Sequence, residues 1–336
     1  MDLQLLDQTL ADLGQPRFRA GQVWKWTARG ARGYEEMTNI PSDLREKLAR
    51  ELPFSSLALR EEAHSDDGTV KALFATHDGR ALEAVLMRFR DGRRSICVSS
   101  QSGCPLTCSF CATGKMRFAR NLTASEILEQ ALHFRRTEAV DHCVFMGMGE
   151  PMLNLDNVLA ACERLPDIGV THRRTTISTV GWIPGIERLT ECDMPIRLAL
   201  SLHAAEEDLR SQLMPVNDRY PLADVIEACR AFYARKRRRV FVEYVMLAGV
   251  NDRYEQALAL ARLLRPPRAD AQAIFKVNLI PYNPTDSEFD GSSRESIETF
   301  RATLESNGVP ATVRLTRGRD IAAACGQLAA TATQAA

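Results

Sequence analysis

The sequence predicts an α/β fold: a partial (β/α)6 barrel behind a small N-terminal helical domain and a β-meander extension. Three observations predict it. From Ser95 onward, six strand-like runs alternate with helical segments, the pattern of a parallel sheet with crossover helices. Before them, Asp-Gly recurs at Asp67-Gly68, Asp78-Gly79 and Asp91-Gly92, each time between strand-like runs, which signals hairpins. The first 58 residues instead repeat apolar residues at helical spacing. The resulting division is a helical accessory domain over 1–58, the meander over 59–94, the barrel over 95–317, and a mobile loop and tail over 318–336.

Leu3, Leu6, Leu10 and Leu13 mark the first helix, which Gly14 and Pro16 stop. A second helix covers 19–29, and a third follows Pro41 over 42–52. Phe18, Trp24, Trp26 and Tyr34 interleave with Arg17, Arg19, Lys25, Arg29 and Arg32. Such a set either stacks on and clamps single-stranded RNA or forms a small core with a charged rim. In the meander, tight closure at Asp91-Gly92 sets Glu83 roughly opposite Ser100, near the cysteine-rich loop that follows. Glu83 reads equally as a solvent-facing position on an edge strand.

The barrel strands are expected at 95–100, 142–146, 175–180, 196–202, 240–247 and 275–281. Between the first two, Thr123-Ala-Ser-Glu126 is a capping box, with Leu122 as its staple and Ile127, Ala131 and Phe134 along one side. An incomplete barrel leaves a lateral opening for a large substrate. A helix over 294–306 and a strand near 312–315 follow, then an Ala/Thr-rich tail whose last residues are expected to be disordered.

Equal numbers of acidic and basic side chains, 43 each, remove any general attraction for nucleic acid. Charge is instead local, in Arg235-Lys-Arg-Arg-Arg239, Arg173-Arg174, the set Lys115, Arg117 and Arg120, and the set Arg314, Arg317 and Arg319. Each group also reads as a solvated helix end. No apolar run is long enough to span a bilayer, and the N-terminus lacks the basic and apolar regions of a secretory signal. The expectation is a cytoplasmic protein with no membrane partner. Nine cysteines, an odd number with three in one loop, argue against a secreted disulfide framework.

Those three stand in Cys104-Pro-Leu-Thr-Cys108-Ser-Phe-Cys111, followed by Ala-Thr-Gly114-Lys115. The C-x3-C-x2-C spacing aims three thiolates at one soft-metal site, and thiolates are the ligands of iron–sulfur clusters. Three cysteines leave one iron of a [4Fe-4S] cubane open to a small molecule. The spacing resembles the signature of the radical S-adenosylmethionine (SAM) superfamily, in which that iron chelates the amino and carboxylate groups of SAM. Phe110 matches the aromatic residue usual there. The competing readings are zinc, held by the same sulfurs with His133 or His142, and a purely structural thiol cluster.

Unusual polar residues fall at the C-terminal ends of the expected strands, where barrels place their chemistry. They are Gly147-Met-Gly149-Glu150-Pro151, Ser178 before Gly181, Ser201-Leu202-His203, and Asn283 in Pro281-Tyr-Asn-Pro284. Glycines admit a ligand to the backbone, Glu150 can accept from a cationic amino group, and Ser178, Ser201 and Asn283 suit hydroxyl and adenine edges. Each alone has an ordinary reading, His203 as a packed residue among them, but four such sites share one rim. Glu243, inside Val240-Phe-Val-Glu-Tyr-Val245, also turns toward the interior, with no role assigned. Cys325, read alone, is a buried inert thiol in an alanine-rich helix.

Cys97-Val-Ser-Ser-Gln-Ser-Gly-Cys104, Phe145-Met-Gly-Met-Gly-Glu-Pro151, Ile177-Ser-Thr-Val-Gly181, Leu200-Ser-Leu-His-Ala204, Leu279-Ile-Pro-Tyr-Asn283 and Ala324-Cys-Gly-Gln-Leu328 closely resemble one family. So do Arg19-Ala-Gly-Gln-Val-Trp24 and Glu36-Met-Thr-Asn39. It is the family of bacterial dual-specificity RNA adenine-C2 methyltransferases. The resemblance implies a [4Fe-4S] cluster on Cys104, Cys108 and Cys111, and SAM contacts at Gly149, Glu150, Ser178, Ser201, Leu202, His203 and Asn283. It implies that Cys325 carries the methyl group as S-methylcysteine, that two SAM are used per turnover, and that Cys97 forms a transient disulfide with Cys325. Glu83 matches the family's proton acceptor. The implied partners are 23S rRNA at the peptidyl-transferase centre, tRNA at the adenosine 3′ of the anticodon, and a low-potential electron donor such as flavodoxin or ferredoxin.

Gly318 and Gly326, flanking 322–324, permit the motion that such a carrier needs. The family commonly has glycine at Arg117 and acids at Arg319 and Ala322, so substrate preference is where this chain is expected to differ. The alternatives are the related adenine-C8 methyltransferases that confer antibiotic resistance, and a non-catalytic metal-containing RNA-binding protein.

Overall fold

The computed structural model describes residues 1–266 and 272–330, so the expectation for the last residues lies outside the described range. Three helices open the chain: α1 (Leu3–Asp12), α2 (Phe18–Arg29) and α3 (Ser42–Glu51). Asp2 caps α1 by accepting from the backbone N–H groups of Gln4 and Leu5, and Gly30 ends α2 in the left-handed conformation. The helices bury Leu6, Leu10, Val23, Leu44 and Leu48 in a core of their own, with Tyr34. Trp24 turns the other way and donates from Nε1 to Asp167 Oδ2 at 2.7 Å, with Arg164 over its ring. Trp24 and Tyr34 are therefore core residues, whereas Phe18 is exposed with Arg19 stacked on it.

Strands β1 (Ala58–His64), β2 (Val70–Ala75), β3 (Ala81–Arg88) and β4 (Arg94–Cys97) form the antiparallel meander. Its hairpins close through Ser65 N to Thr69 O, Thr76 N to Arg80 O and Phe89 N to Arg93 O. Each loop ends in a left-handed glycine, Gly68, Gly79 or Gly92. Three-residue loops of this kind place the glycine at a bulge, whereas a two-residue turn would shift the register by one. Val85 thus pairs with Cys97, and Ser99 Oγ donates to Glu83 O at 2.6 Å. Glu83 faces Ser99 rather than Ser100. It is buried, because β2 and β4 flank β3 on both sides, so the edge-strand reading fails.

The remaining elements are β5 (Gln101–Ser102), α4 (Ala112–Lys115), β6 (Arg120–Asn121), α5 (Ala124–Arg135), β7 (His142–Phe145), α6 (Leu155–Arg164), β8 (Thr175–Thr179) and α7 (Ile183–Glu191). They continue as β9 (Arg197–Ser201), α8 (Glu207–Leu213), α9 (Leu222–Lys236), β10 (Val240–Met246), α10 (Tyr254–Leu264), β11 (Phe275–Pro281), α11 (Arg294–Ser306) and β12 (Ala311–Val313). One open sheet runs β1-β2-β3-β4-β7-β8-β9-β10-β11-β12 and is parallel from β4 onward. The six expected barrel strands are β4 and β7 to β11, and β12 adds a seventh. Ile177, Leu200, Val242 and Leu279 of the strands pack in one core with Val158, Leu189, Phe232 and Phe300 of the helices. At the start of α5, Thr123 and Glu126 form the capping box in both directions, stabilising the helix by about 1 kcal/mol. No helix among the described residues is long and apolar enough to cross a membrane.

After β12 the chain leaves the sheet and returns to its other end. Gly318 N donates to Asp67 Oδ2 at 3.1 Å, Asp320 accepts from Ser65 Oγ at 2.7 Å, and the N–H groups of Ala329 and Ala330 reach Glu83. This segment, a strap of turns rather than a helix, spans the barrel mouth. Ala322 within it holds φ 51, beside the left-handed Gly318 and Gly326.

Candidate active site

Tight backbone packing shapes the cysteine loop between β5 and α4. A Cβ on Gly103, at φ 74, would stand 2.4 Å from Arg117 O, and one on Gly114 would stand 2.8 Å from Cys108 O. Burial pushes the Cys104 thiol up to about 12 and raises Cys108 and Cys111 as well, with the neighbouring thiols adding repulsion at Cys104 and Cys108. Three thiols that resist ionisation in a half-buried loop suit a soft, positively charged metal group that stabilises the thiolates. Arg210, fully buried, supplies positive charge near Cys108 and donates to the carbonyls of Val180 at 2.6 Å and Leu202 at 3.3 Å.

Neither candidate histidine joins these sulfurs. His133 Nε2 is 2.7 Å from Glu62 Oε1, and His142 pairs with Asp141 at the start of β7, the end away from the cysteines. Among the described residues, no three His, Cys, Asp or Glu side chains are arranged to hold a single metal ion. The zinc reading lacks its fourth ligand, whereas a multi-iron cluster is wider and is held by sulfurs that stand further apart.

One cavity joins the loop to the rim, lined by Cys111, Glu150, Ser178, Ser201, His203 and Cys325 among others. Glu150 Oε1 accepts from Met152 N at 3.1 Å and Oε2 from Val180 N at 3.0 Å, while burial pushes its carboxyl up to about 7. Gly149 must be glycine, since φ is 94 and a Cβ would press on the Gln101 side chain at 2.5 Å. Ser178 and Ser201 hydroxyls meet at 3.2 Å, and buried Leu202 donates its N–H to Glu243 O at 3.0 Å. Asn283 donates from Nδ2 to Cys325 O at 3.2 Å and leaves a buried Oδ1 without a partner among the described residues, an acceptor suited to a donor on a bound ligand.

His203 is both packed and at the rim. Its Nδ1 accepts from Val245 N at 3.0 Å, which places the ring proton on Nε2, and its ring meets Phe110 edge-on at 4.7 Å. Burial, with Arg210 adding repulsion, pushes its pKa down to about 3. His203 therefore holds the aromatic residue of the cysteine loop against the end of β9.

A second cavity is lined by Cys97, Cys111, Asn283, Arg314 and Cys325. Cys325 is exposed and lies in the strap, held by Ala112 N to Gly326 O at 2.8 Å, so the buried-helix reading of this thiol fails. Cys97 is buried on β4, where desolvation pushes it up to about 12. All nine cysteines are free, and no disulfide joins these two. Arg314 Nη1 lies 3.2 Å from Glu243 Oε2, and the other Glu243 oxygen accepts from Asn278 Nδ2 at 2.8 Å. Glu243 thus gains a partner, and the guanidinium it anchors lines both cavities with Cys325. Sequence reading missed Arg210, Gln101 and the Glu243–Arg314 pair. It also missed Lys71 on β2, the diagonal neighbour of Glu83 on β3, with Nζ 2.9 Å from its carboxylate, a position readable only once the hairpin register is known.

Residues 98–261 match the sequence profile of the radical SAM superfamily, and residues 1–52 match that of the ribosomal RNA large subunit methyltransferase N-terminal domain. The chain is 46% identical to the probable dual-specificity RNA methyltransferase RlmN of Chloroflexus aurantiacus, over 98% of this chain and 91% of the relative. It is 44% identical to the probable dual-specificity RNA methyltransferase RlmN of Thermus thermophilus, over 97% and 92%. A crystal structure of a radical SAM methyltransferase from Sphaerobacter thermophilus superposes with a TM-score of 0.91 at 44% identity, covering 98% of both chains. The superfamily's [4Fe-4S] cluster and SAM fit the sulfurs of the loop and the unpaired Asn283 acceptor. A complete loop, a polar rim and a likeness that runs the length of the chain lead to one conclusion: this protein belongs to the RlmN family of radical SAM RNA methyltransferases.

Proposed function

We propose that the protein methylates C2 of adenosine in 23S rRNA and in tRNA, using two SAM per turnover and Cys325 as the methyl carrier. The observation that carries this reading is the cavity where exposed Cys325 stands with Cys111 of the cluster loop and with Cys97. The relatives' name, dual-specificity RNA methyltransferase, and the ribosomal RNA profile at the N-terminus support RNA substrates of two kinds.

Adenine C2 is electron-poor, so it cannot take a methyl group by displacement. When bound, the cluster and SAM supply the one-electron chemistry that activates a methyl group on sulfur. The chain supplies the rest. Cys104, Cys108 and Cys111 hold the cluster, and Gly149, Glu150, Ser178, Ser201, Leu202, His203 and Asn283 hold SAM. Cys325 receives its methyl as a thiolate beside the Arg314 guanidinium. Once the carbon has joined C2, the adduct gives up one electron, and the deprotonated Cys97 sulfur attacks that of Cys325. This closes a transient disulfide as the sulfur–carbon bond pair passes to the carbon, which takes up a proton and becomes the methyl group. Glu83 takes the C2 proton after the strap withdraws the N–H groups of Ala329 and Ala330. A low-potential donor of the flavodoxin or ferredoxin type supplies the one electron that starts each turnover and the two that return the Cys97–Cys325 disulfide to thiols.

Anaerobic turnover with SAM, reductant and each RNA, followed by mass analysis of nucleosides, tests this. The expected product is 2-methyladenosine in both RNAs. An 8-methyladenosine product, or no deoxyadenosine released, overturns the reading.

A further inference from the structure

Five arginines gather at the end of the barrel opposite the cysteine loop. Arg173 precedes β8, Arg197 opens β9, and Arg237, Arg238 and Arg239 lead into β10. Ser178 and Ser201 lie toward the other ends of β8 and β9. Together with Phe241 the arginines line one crevice of about 340 Å³. No carboxylate pairs with any of them among the described residues. The charge on Arg238 is disfavoured by burial and then by Arg197 and Arg173. Arg237 adds backbone strain, holding φ 53 where a glycine would sit without cost. Like charges kept together without a counter-ion destabilise a fold, and a polyanion relieves that repulsion.

We propose that this crevice binds the phosphate backbone of substrate RNA at a second point, on the far side of the barrel from the target adenosine. The proposal rests on the RNA-methylating reading and adds a contact to it. RNA is favoured over an acidic protein because an electron donor must approach the cysteine loop, at the other end. Phe241, half-buried among the arginines, offers a flat surface to a base. The seven residues of β10 span ~23 Å at ~3.3 Å each, and an RNA must run around the outside of the barrel to touch both ends, a longer path that favours a full-length RNA over an isolated stem–loop.

The test compares the holoenzyme with a triple variant, Arg173→Gln, Arg237→Gln and Arg239→Gln, side chains that form no ion pair among the described residues. Kd over a salt series and anaerobic kcat and KM are measured with full-length tRNA, a 23S rRNA fragment and the isolated anticodon stem–loop. For the long RNAs the expected result is a Kd raised about tenfold or more and a salt slope reduced by about two to three, with kcat and stem–loop binding unchanged. Arg237→Gly, which removes one charge and relieves the strained φ, shifts Kd in the same direction while melting no lower than the parent. Unchanged Kd and slope for the long RNAs overturn the proposal, as does an equal weakening of the stem–loop. Unchanged RNA binding with slower reduction by flavodoxin assigns the crevice to an acidic protein and also overturns it. Binding is read without turnover, so a failure of C2 methylation itself shows separately in the nucleoside analysis.

Discussion

Lys71 Nζ lies 2.9 Å from Glu83 Oε1, while Glu83 Oε2 accepts the N–H groups of Ala329 at 2.9 Å and Ala330 at 3.0 Å. Both oxygens of the proposed base are therefore occupied by the fold. Glu83→Gln is expected to lower methylated RNA by about 10²–10⁴-fold while deoxyadenosine release continues. Lys71→Met leaves the buried carboxylate short of its charged partner and is expected to cost about 2 kcal/mol, read by denaturant unfolding.

Cys97 and Cys325 line one cavity as free thiols. With Cys97→Ala the product has no sulfur to release it, so RNA is expected to stay attached to the protein through Cys325 and to migrate as an adduct on a denaturing gel. Cys325→Ser is expected to give neither adduct nor methylated adenosine.

Arg314→Met strands the buried Glu243 carboxylate with Asn278 alone, and a loss of about 3 kcal/mol is expected. Adding Glu243→Gln to that variant is expected to restore most of the stability. Methylation of Cys325, followed by mass spectrometry of the intact protein, remains slow in both variants.

The depressed His203 pKa makes stability pH-dependent. The unfolded ring takes its proton near pH 6.5 and the folded ring only near about 3, so this stability is fully present above pH 6.5 and is lost as pH falls toward 3. His203→Asn, which tolerates the left-handed backbone at φ 61, is expected to flatten unfolding free energy between about pH 7 and 4 relative to the parent.

The strands and helices were legible because local chemistry marks their ends: Asp-Gly loops in the meander, the Thr123 box before α5, and the Gly14 and Pro16 stop after α1. Register was less so. Asp91-Gly92 fixes the position of a hairpin but not its loop length, and one extra residue moved the partner of Glu83 from Ser100 to Ser99. The cysteine loop and rim were readable from spacing and strand ends. The exposure of Cys325 was not, because alanine-rich sequence favours a helix, and only long-range bonds to the β1–β2 loop, to β3 and to Ala112 just past the cysteine loop draw this stretch out as a strap. Arg210 left no signal, since its burial depends on carbonyls of Val180 and Leu202, just past the ends of β8 and β9, that the chain brings together only in space.

The strap is held mostly through its main chain: the carbonyls of Ala322, Cys325, Gly326 and Leu328 accept, and the amides of Gly318, Ala329 and Ala330 donate. Side-chain identity matters little to such an attachment. Evolution can therefore vary the alanines and the charged position at Arg319 to suit different RNAs while the sulfur between them keeps its place, which makes this ribbon a natural target for retuning substrate choice without rebuilding the catalyst.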